Sequence, residues 1–85
     1  MKEIVIDCAT FSGPDQLHDV LARELAFPQW YGRNWDALHD CLTAITETTR
    51  LTVRNLSCIG PKAAVFRQVL ADAEEENLCL IVDVL

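Results

Sequence analysis

The sequence predicts an α/β fold in two layers, a three-stranded parallel sheet packed with about three helices. Two observations carry this. Three short apolar runs with strand character, "KEIVID", "RLTVRNL" and "LCLIVDVL", are separated by segments whose apolar residues recur at helical spacing. Strands alternating with helices favour a parallel sheet joined by right-handed crossovers. The chain has 85 residues, room for one small domain over 1–85 and no more. If helices cover one sheet face, the other face needs an explanation of its own.

In "KEIVID", Ile4 and Ile6 flank Val5, which reads as a short and mostly buried strand. "FSGPDQ" then stops the strand and starts a helix: Gly13 turns, Ser12 can cap, and Pro14 suits a first helical turn. From about 14 to 26, Leu17, Val20, Leu21 and Leu25 keep helical spacing. Pro28 forces Phe27 towards extended geometry and Gly32 permits a turn, so "AFPQWYG" breaks that helix. Asn34 is a good N-cap for a helix over about 34–47. Residues 50 to 56 alternate Leu51 and Val53 with polar residues as the second strand. Gly60-Pro61 opens a long helix to about 76, with Ala64, Val65, Val69 and Ala73 as its apolar stripe. "LCLIVDVL" closes the sheet as a buried strand. No repeat, linker or low-complexity segment interrupts the pattern.

Composition narrows the function classes. With 51% apolar residues the chain can bury a real core, and a charged fraction of 24% is ordinary for a globular protein. Seven basic against thirteen acidic residues leave a net charge of −6. That balance opposes direct nucleic-acid binding, which needs a basic footprint, and suits a basic partner. Cys8, Cys41, Cys58 and Cys79 stand 17 or more residues apart with no C-x-x-C pair, so neither a zinc site nor a disulfide framework is expected. "MKEIVIDC" has no apolar segment of the signal-peptide kind, and no run approaches the ~20 residues of a membrane span. A cytoplasmic protein with reduced thiols filling core space is therefore expected, and Asn55-Leu56-Ser57 carries no glycan without export.

The second helix has two faces. At about 100° per residue, Leu38, Leu42 and Ile45 form one stripe, with Cys41 and Trp35 beside it, while Asp36, Asp40, Thr43 and Glu47 lie nearly opposite. Carboxylates four apart repel and cost a helix roughly 0.2–0.5 kcal/mol. Such a stripe is either a solvated helix face, with Asp36 favoured by the N-terminal dipole, or an anion patch offered to a basic cleft. Trp30 and Tyr31, on the loop entering the helix, either cap the core or serve as aromatic anchors beside those charges. Catalysis has little to work with. His18 and His39 accompany no Ser or Cys nucleophile motif, and Gly60-Pro61-Lys62 lacks the other glycine of a P-loop. His39 reads as a rim residue, and His18 as a surface or half-buried one.

"LAFPQWYGRNWDALHDCLT", residues 25 to 43, resembles the signature of the barstar family, intracellular inhibitors of the ribonuclease barnase. The matching elements are Leu25-Ala26-x-Pro28, Tyr31-Gly32-x-Asn34-x-Asp36-Ala37-Leu38 and Asp40-Cys41-Leu42-Thr43. The layout on both sides is similar, strongly in the middle and weakly between about 44 and 63, where this chain looks shorter. The resemblance implies a barstar-like fold, no enzymatic activity, no cofactor or metal, and a 1:1 complex with a basic microbial ribonuclease, either barnase-like or a toxin. In that family a loop and acidic helix plug the active site, carboxylates standing where RNA phosphates would bind. Repulsion in the free helix then becomes attraction in the complex.

Carried over residue by residue, the expected partner-facing set is Trp30, Tyr31, Gly32, Asn34, Trp35, Asp36, His39, Asp40, Thr43, Ala44 and Asp72. Asp40 would be the central anchor and Asp36 its companion. Tyr31 and Gly32 would shape the loop, Trp30 replaces an aromatic contact, Thr43 matches a contact position, and Asp72 would add a peripheral charge. Three departures stand out. Arg33 puts a positive charge where the loop usually tolerates an acid, and is expected to repel a basic rim. His39 replaces a tryptophan, and Ala44 follows Thr43 where the family often has glycine. The run "DAEEEN", residues 72 to 77, reads as a solvated helix end or as an extension of the partner-facing field. The alternative function is an acidic interaction module of a regulatory complex whose partner is not a nuclease.

Overall fold

A computed structural model describes residues 1–85. The elements run β1 (Lys2–Asp7), a 3-10 turn (Cys8–Thr10), α1 (Pro14–Glu24), α2 (Trp35–Thr43), β2 (Thr49–Arg54), a 3-10 segment (Leu56–Lys62), α3 (Ala63–Glu76) and β3 (Leu80–Val84). One parallel sheet has the order β1-β2-β3, aligning Ile4 with Leu51 and Val82, and Ile6 with Val53 and Val84. Those residues face the helices. Leu17 and Leu21 of α1, Leu38 and Leu42 of α2, and Phe66 and Leu70 of α3 complete the buried core. Each such side chain contributes about 1.5–3 kcal/mol on burial.

The other sheet face is open, which answers what covers it. Glu3 aligns with Arg50 and Ile81, and Val5 with Thr52 and Asp83; an Arg50–Asp83 ion pair at 2.9 Å crosses between strands. Val5 is 63% exposed, so β1 is buried on one side only, where its three apolar residues suggested a mostly buried strand. Only Leu80 of β3 is fully buried. Parallel sheets are usually covered on both faces, and here the charged ladder makes a wet face tolerable. At the β3 edge, Glu74 of α3 accepts the Val82 N–H at 2.6 Å.

The expected limits of all three helices shift, two stripes change, and the second strand covers Thr49–Arg54 rather than 50–56. α1 stops at Glu24 because the chain closes a Schellman turn: Phe27 N–H donates to Ala22 O at 2.9 Å and Ala26 N–H to Arg23 O at 3.4 Å, with Ala26 left-handed at φ 54°. Its N-cap is Gly13 rather than Ser12, and Gln16 reaches back to accept the Ser12 N–H at 2.9 Å. α2 ends at Thr43, so Glu47 is not on the helix and leaves the acidic stripe. The cause is Asn77, buried at the end of α3. Its amide donates to Leu42 O and Ile45 O at 3.0 Å and to Thr43 O at 3.3 Å, while its oxygen accepts the Cys79 N–H at 2.9 Å. The last carbonyls of α2 are thereby satisfied without another turn.

α3 begins at Ala63, not at Gly60-Pro61, because Gly60 takes φ 86° inside the preceding segment. Its core stripe is Phe66, Leu70 and Ala73; Ala64 is exposed, Val65 is 39% exposed and Val69 half-buried. Burying the large Phe66 ring sets the rotation of the helix, and the small residues around it turn outward. No helix is long and apolar enough to cross a membrane.

Candidate partner-binding face

α2 enters through a loop that is held at both ends. Asn34 caps the helix as its sequence position suggested, its side-chain oxygen accepting the Ala37 N–H at 2.8 Å. The tight turn falls on Arg33, at φ 54°, and not on Gly32. Gly32 matters differently: a Cβ there would stand 3.0 Å from the Asn34 amide nitrogen that donates to Gly32 O. Arg33 is drawn back over α1, its Nε 3.1 Å from Asp19 and its Nη2 donating to Asp15 O at 3.2 Å. The charge expected to repel a basic rim is therefore paired within the chain. The pair is half-exposed, and such surface bridges are worth at most about 1 kcal/mol.

The two loop aromatics divide the two readings between them. Trp30 is 77% exposed, whereas Tyr31 is buried, packing its ring 5.0 Å from that of Phe27. The Tyr31 hydroxyl meets His18 Nδ1 at 2.6 Å. His18 is 3% exposed, which corrects the surface or half-buried placement: on α1 it follows Leu17 onto the edge of the core, and Tyr31 supplies its hydrogen bond. Burial lowers the His18 pKa below its ordinary value, reinforced by nearby Arg33, and burial pushes the Tyr31 phenol well above its own. Both shifts favour the neutral forms, an uncharged imidazole hydrogen-bonded to an uncharged phenol. Trp35 is half-buried, its ring 4.7 Å from His18 and 5.9 Å from Phe66, so it packs towards α1 and α3.

On the outer face of α2, Asp36 and Asp40 are both exposed, one turn apart, with the Asp40 side chain 82% exposed. His39 lies between α2 and α3: its Nε2 is hydrogen-bonded to Glu76, and its Nδ1 is 3.8 Å from Asp40. The Glu76 hydrogen bond raises the His39 pKa, with the Glu76 and Asp40 charges adding to it. Thr43 turns its hydroxyl back onto His39 O and Asp40 O, both at 3.0 Å, and is half-buried. Ala44, exposed at the C-cap with φ −88°, occupies an ordinary conformation that needs no glycine. On α3, Asp72 is exposed and accepts the Gln68 amide at 2.9 Å.

Glu76 is the residue that sequence reasoning left undistinguished within the acidic run. It sits four residues after Asp72, so both project on one side of α3. That spacing from Asp72 was the available signal. The result is a surface on which His39 links Asp40 to Glu76, with Asp36 one turn before Asp40 on α2, Trp30 standing free on the adjoining loop and Asp72 one turn along α3. No group of histidine, cysteine and carboxylate side chains is arranged to hold a metal ion.

Chemically, this surface can offer carboxylates and an indole to a cationic partner. The sequence profile of the family described as Barstar (barnase inhibitor) matches residues 1–84. The chain is also 38% identical over 81 residues to YrdF of Bacillus subtilis (strain 168), a protein provisionally named a ribonuclease inhibitor, with 89% of each chain covered. The parallel three-stranded sheet under three helices, the capped acidic α2 and this near full-length match agree, and the chain belongs to the barstar family.

Proposed function

We propose that this protein is a cytoplasmic, non-catalytic inhibitor that blocks the basic active site of a microbial ribonuclease in a 1:1 complex. The observation that carries the reading is the exposed Asp36–Asp40 pair on α2 beside the free indole of Trp30. A ribonuclease cleft must be cationic to hold phosphate, so carboxylates set one helical turn apart can take places that RNA would occupy. The tethered Arg33 supports this, since the cation on the loop is neutralised before a partner arrives. Glu76 and Asp72 would extend the acidic surface from α3. Trp30 would be the apolar anchor, while Tyr31, Gly32, Asn34 and Trp35 hold the loop and helix in shape. Thr43 and Ala44 would border the contact at the end of α2.

The test is titration of a basic, barnase-like ribonuclease with purified protein. Inhibition should saturate at one equivalent. Asp40→Ala should weaken it by about 2 kcal/mol or more, because a partner cation is left unpaired in a closed interface. The same change should leave the free protein's stability unchanged or slightly raised, since it removes the repulsion with Asp36. Loss of stability with inhibition retained would make Asp40 structural and refute the reading.

A further inference from the structure

The two edges of the sheet are finished differently. A strand in a parallel ladder turns the N–H and C=O groups of alternate residues to one neighbour and the rest to the other side. In β3 the odd-numbered residues face β2, since Leu85 N–H donates to Val53 O at 2.9 Å and Cys79 O accepts the Thr49 N–H at 2.7 Å. The outward N–H groups of Leu80 and Val82 are both taken within the chain, by Asn77 O at 3.0 Å and by the Glu74 carboxylate at 2.6 Å. In β1 the even-numbered residues face β2, as Lys2 N–H donates to Thr48 O at 2.9 Å. Glu3 and Val5 therefore turn their backbone groups to the outer edge, where no further strand receives them. Beside this edge runs a groove of about 490 Å³ between β1 and α1, in which Phe11 and Val20 offer half-buried apolar surface and Val5 is exposed. Asp7, Arg23 and Glu24 supply its charges, and Arg23 is 3.8 Å from Glu24, so the lining is net negative.

Proteins ordinarily block their sheet edges, because an open one is a template for another strand. We propose that the outer edge of β1 is a second docking site, which adds an extended, basic segment of a protein partner to the sheet as a fourth strand. The chemistry of that segment follows from the neighbour that β1 already has. β2 sets Arg50 beside Glu3, Thr52 beside Val5 and Arg54 beside Asp7, with Leu51 and Val53 turned into the core. A strand on the other side of β1 meets the same three side chains on the open face. Basic residues four apart with a β-branched one midway complement them. Arg50 is drawn away to Asp83 at 2.9 Å, and Glu3 takes part in no ion pair of the chain, so its charge is free for a newcomer. The apolar residues between would turn to the α1 side, over Phe11 and Val20. The site is separate from the α2 face and does not depend on the ribonuclease reading.

The probe is the peptide acetyl-Gly-Arg-Leu-Thr-Val-Arg-Gly-amide, titrated into isotope-labelled protein while the Glu3, Val5 and Val82 amides are followed by NMR. Shifts at Glu3 and Val5 should saturate with a dissociation constant on the order of millimolar, with slowed hydrogen exchange at Val5 and none of this at Val82. A peptide of the same composition with its arginines adjacent, acetyl-Gly-Arg-Arg-Leu-Thr-Val-Gly-amide, should bind at least about threefold more weakly. Val5→Pro should still fold, because the lost N–H bonds nothing in the chain, and should no longer bind the peptide. Glu3→Lys, a change on an exposed side chain, should weaken binding about threefold or more, and this keeps the test decisive if the proline variant does not fold. No saturable shift at the β1 amides, equal binding of the two peptides, or binding retained by Val5→Pro would overturn the site. Protection of Glu3 and Val5 that grows with protein concentration in the absence of peptide would assign the edge to a second copy and overturn it as well. Asp40→Ala should bind the peptide unchanged, so the fate of this edge is read separately from inhibition through α2.

Discussion

The pKa values of His18 and His39 are displaced in opposite directions, the first by burial and the second by a carboxylate partner. Burial lowers the His18 pKa, so the folded state resists its protonation while the unfolded chain accepts a proton near 6.5. Its contribution to stability is therefore full above about pH 6.5 and is lost as the pH falls towards the folded value. His39, raised chiefly by Glu76, behaves in reverse: its contribution is full below about pH 6.5 and disappears as pH rises through the folded pKa. The His39–Glu76 contact is partly exposed and screened by solvent, so its contribution is small and His18 decides the acid limb. The denaturant midpoint should fall between pH 7 and pH 5, and His18→Gln should flatten that fall while lowering stability at pH 7. An unchanged slope in His18→Gln would mean that carboxylates, not this imidazole, govern acid sensitivity. Neither partner of these histidines was legible in the sequence. Tyr31 is thirteen residues from His18 and Glu76 is thirty-seven from His39, so tertiary packing alone chooses them.

Among the elements, local rules were readable wherever the cause is local. Pro14 at the first turn of α1 and Asn34 as the cap of α2 both act within a few residues of themselves. The end of α2 is set from thirty-odd residues away by Asn77, which no window of the sequence between 34 and 47 reveals. Asn77→Ala should therefore cost about 2 kcal/mol by leaving buried carbonyls without donors, measured as a fall in the denaturant midpoint at constant m-value. α1 closes with an alanine where glycine is the usual residue, since a left-handed Cβ is strained. Ala26→Gly should accordingly stabilise by about 0.5 kcal/mol despite the extra freedom it gives the unfolded chain. A loss of stability would mean that the alanine methyl packs better than its strain costs. The rotation of α3 departs from its sequence pattern for a related reason: small residues weigh equally in the pattern, and a single ring, Phe66, fixes which side faces the sheet. At the candidate face, the acids of α2 and the exposed Trp30 were accessible from residue spacing and family resemblance, but Glu76 awaited the packing of α3 on α2.

The whole molecule carries a net charge of −6, concentrated partly on the α2 and α3 surface that also holds Trp30. Association with a cationic nuclease should be steered by that field, so its rate should fall by about tenfold between low salt and about 0.5 M NaCl. Stopped-flow measurements check this, and a salt-independent rate would leave the net charge a matter of solubility alone. Finally, the segment between α1 and α2 is fastened by the Schellman turn at Ala26, the Tyr31–His18 hydrogen bond, Arg33 on Asp19, and the Asn34 cap. A loop so held has few alternative shapes left to surrender when it meets a surface. Docking then resembles the fitting of a rigid key more than the folding of a strap, and most of its ordering entropy is already lost when the chain itself folds.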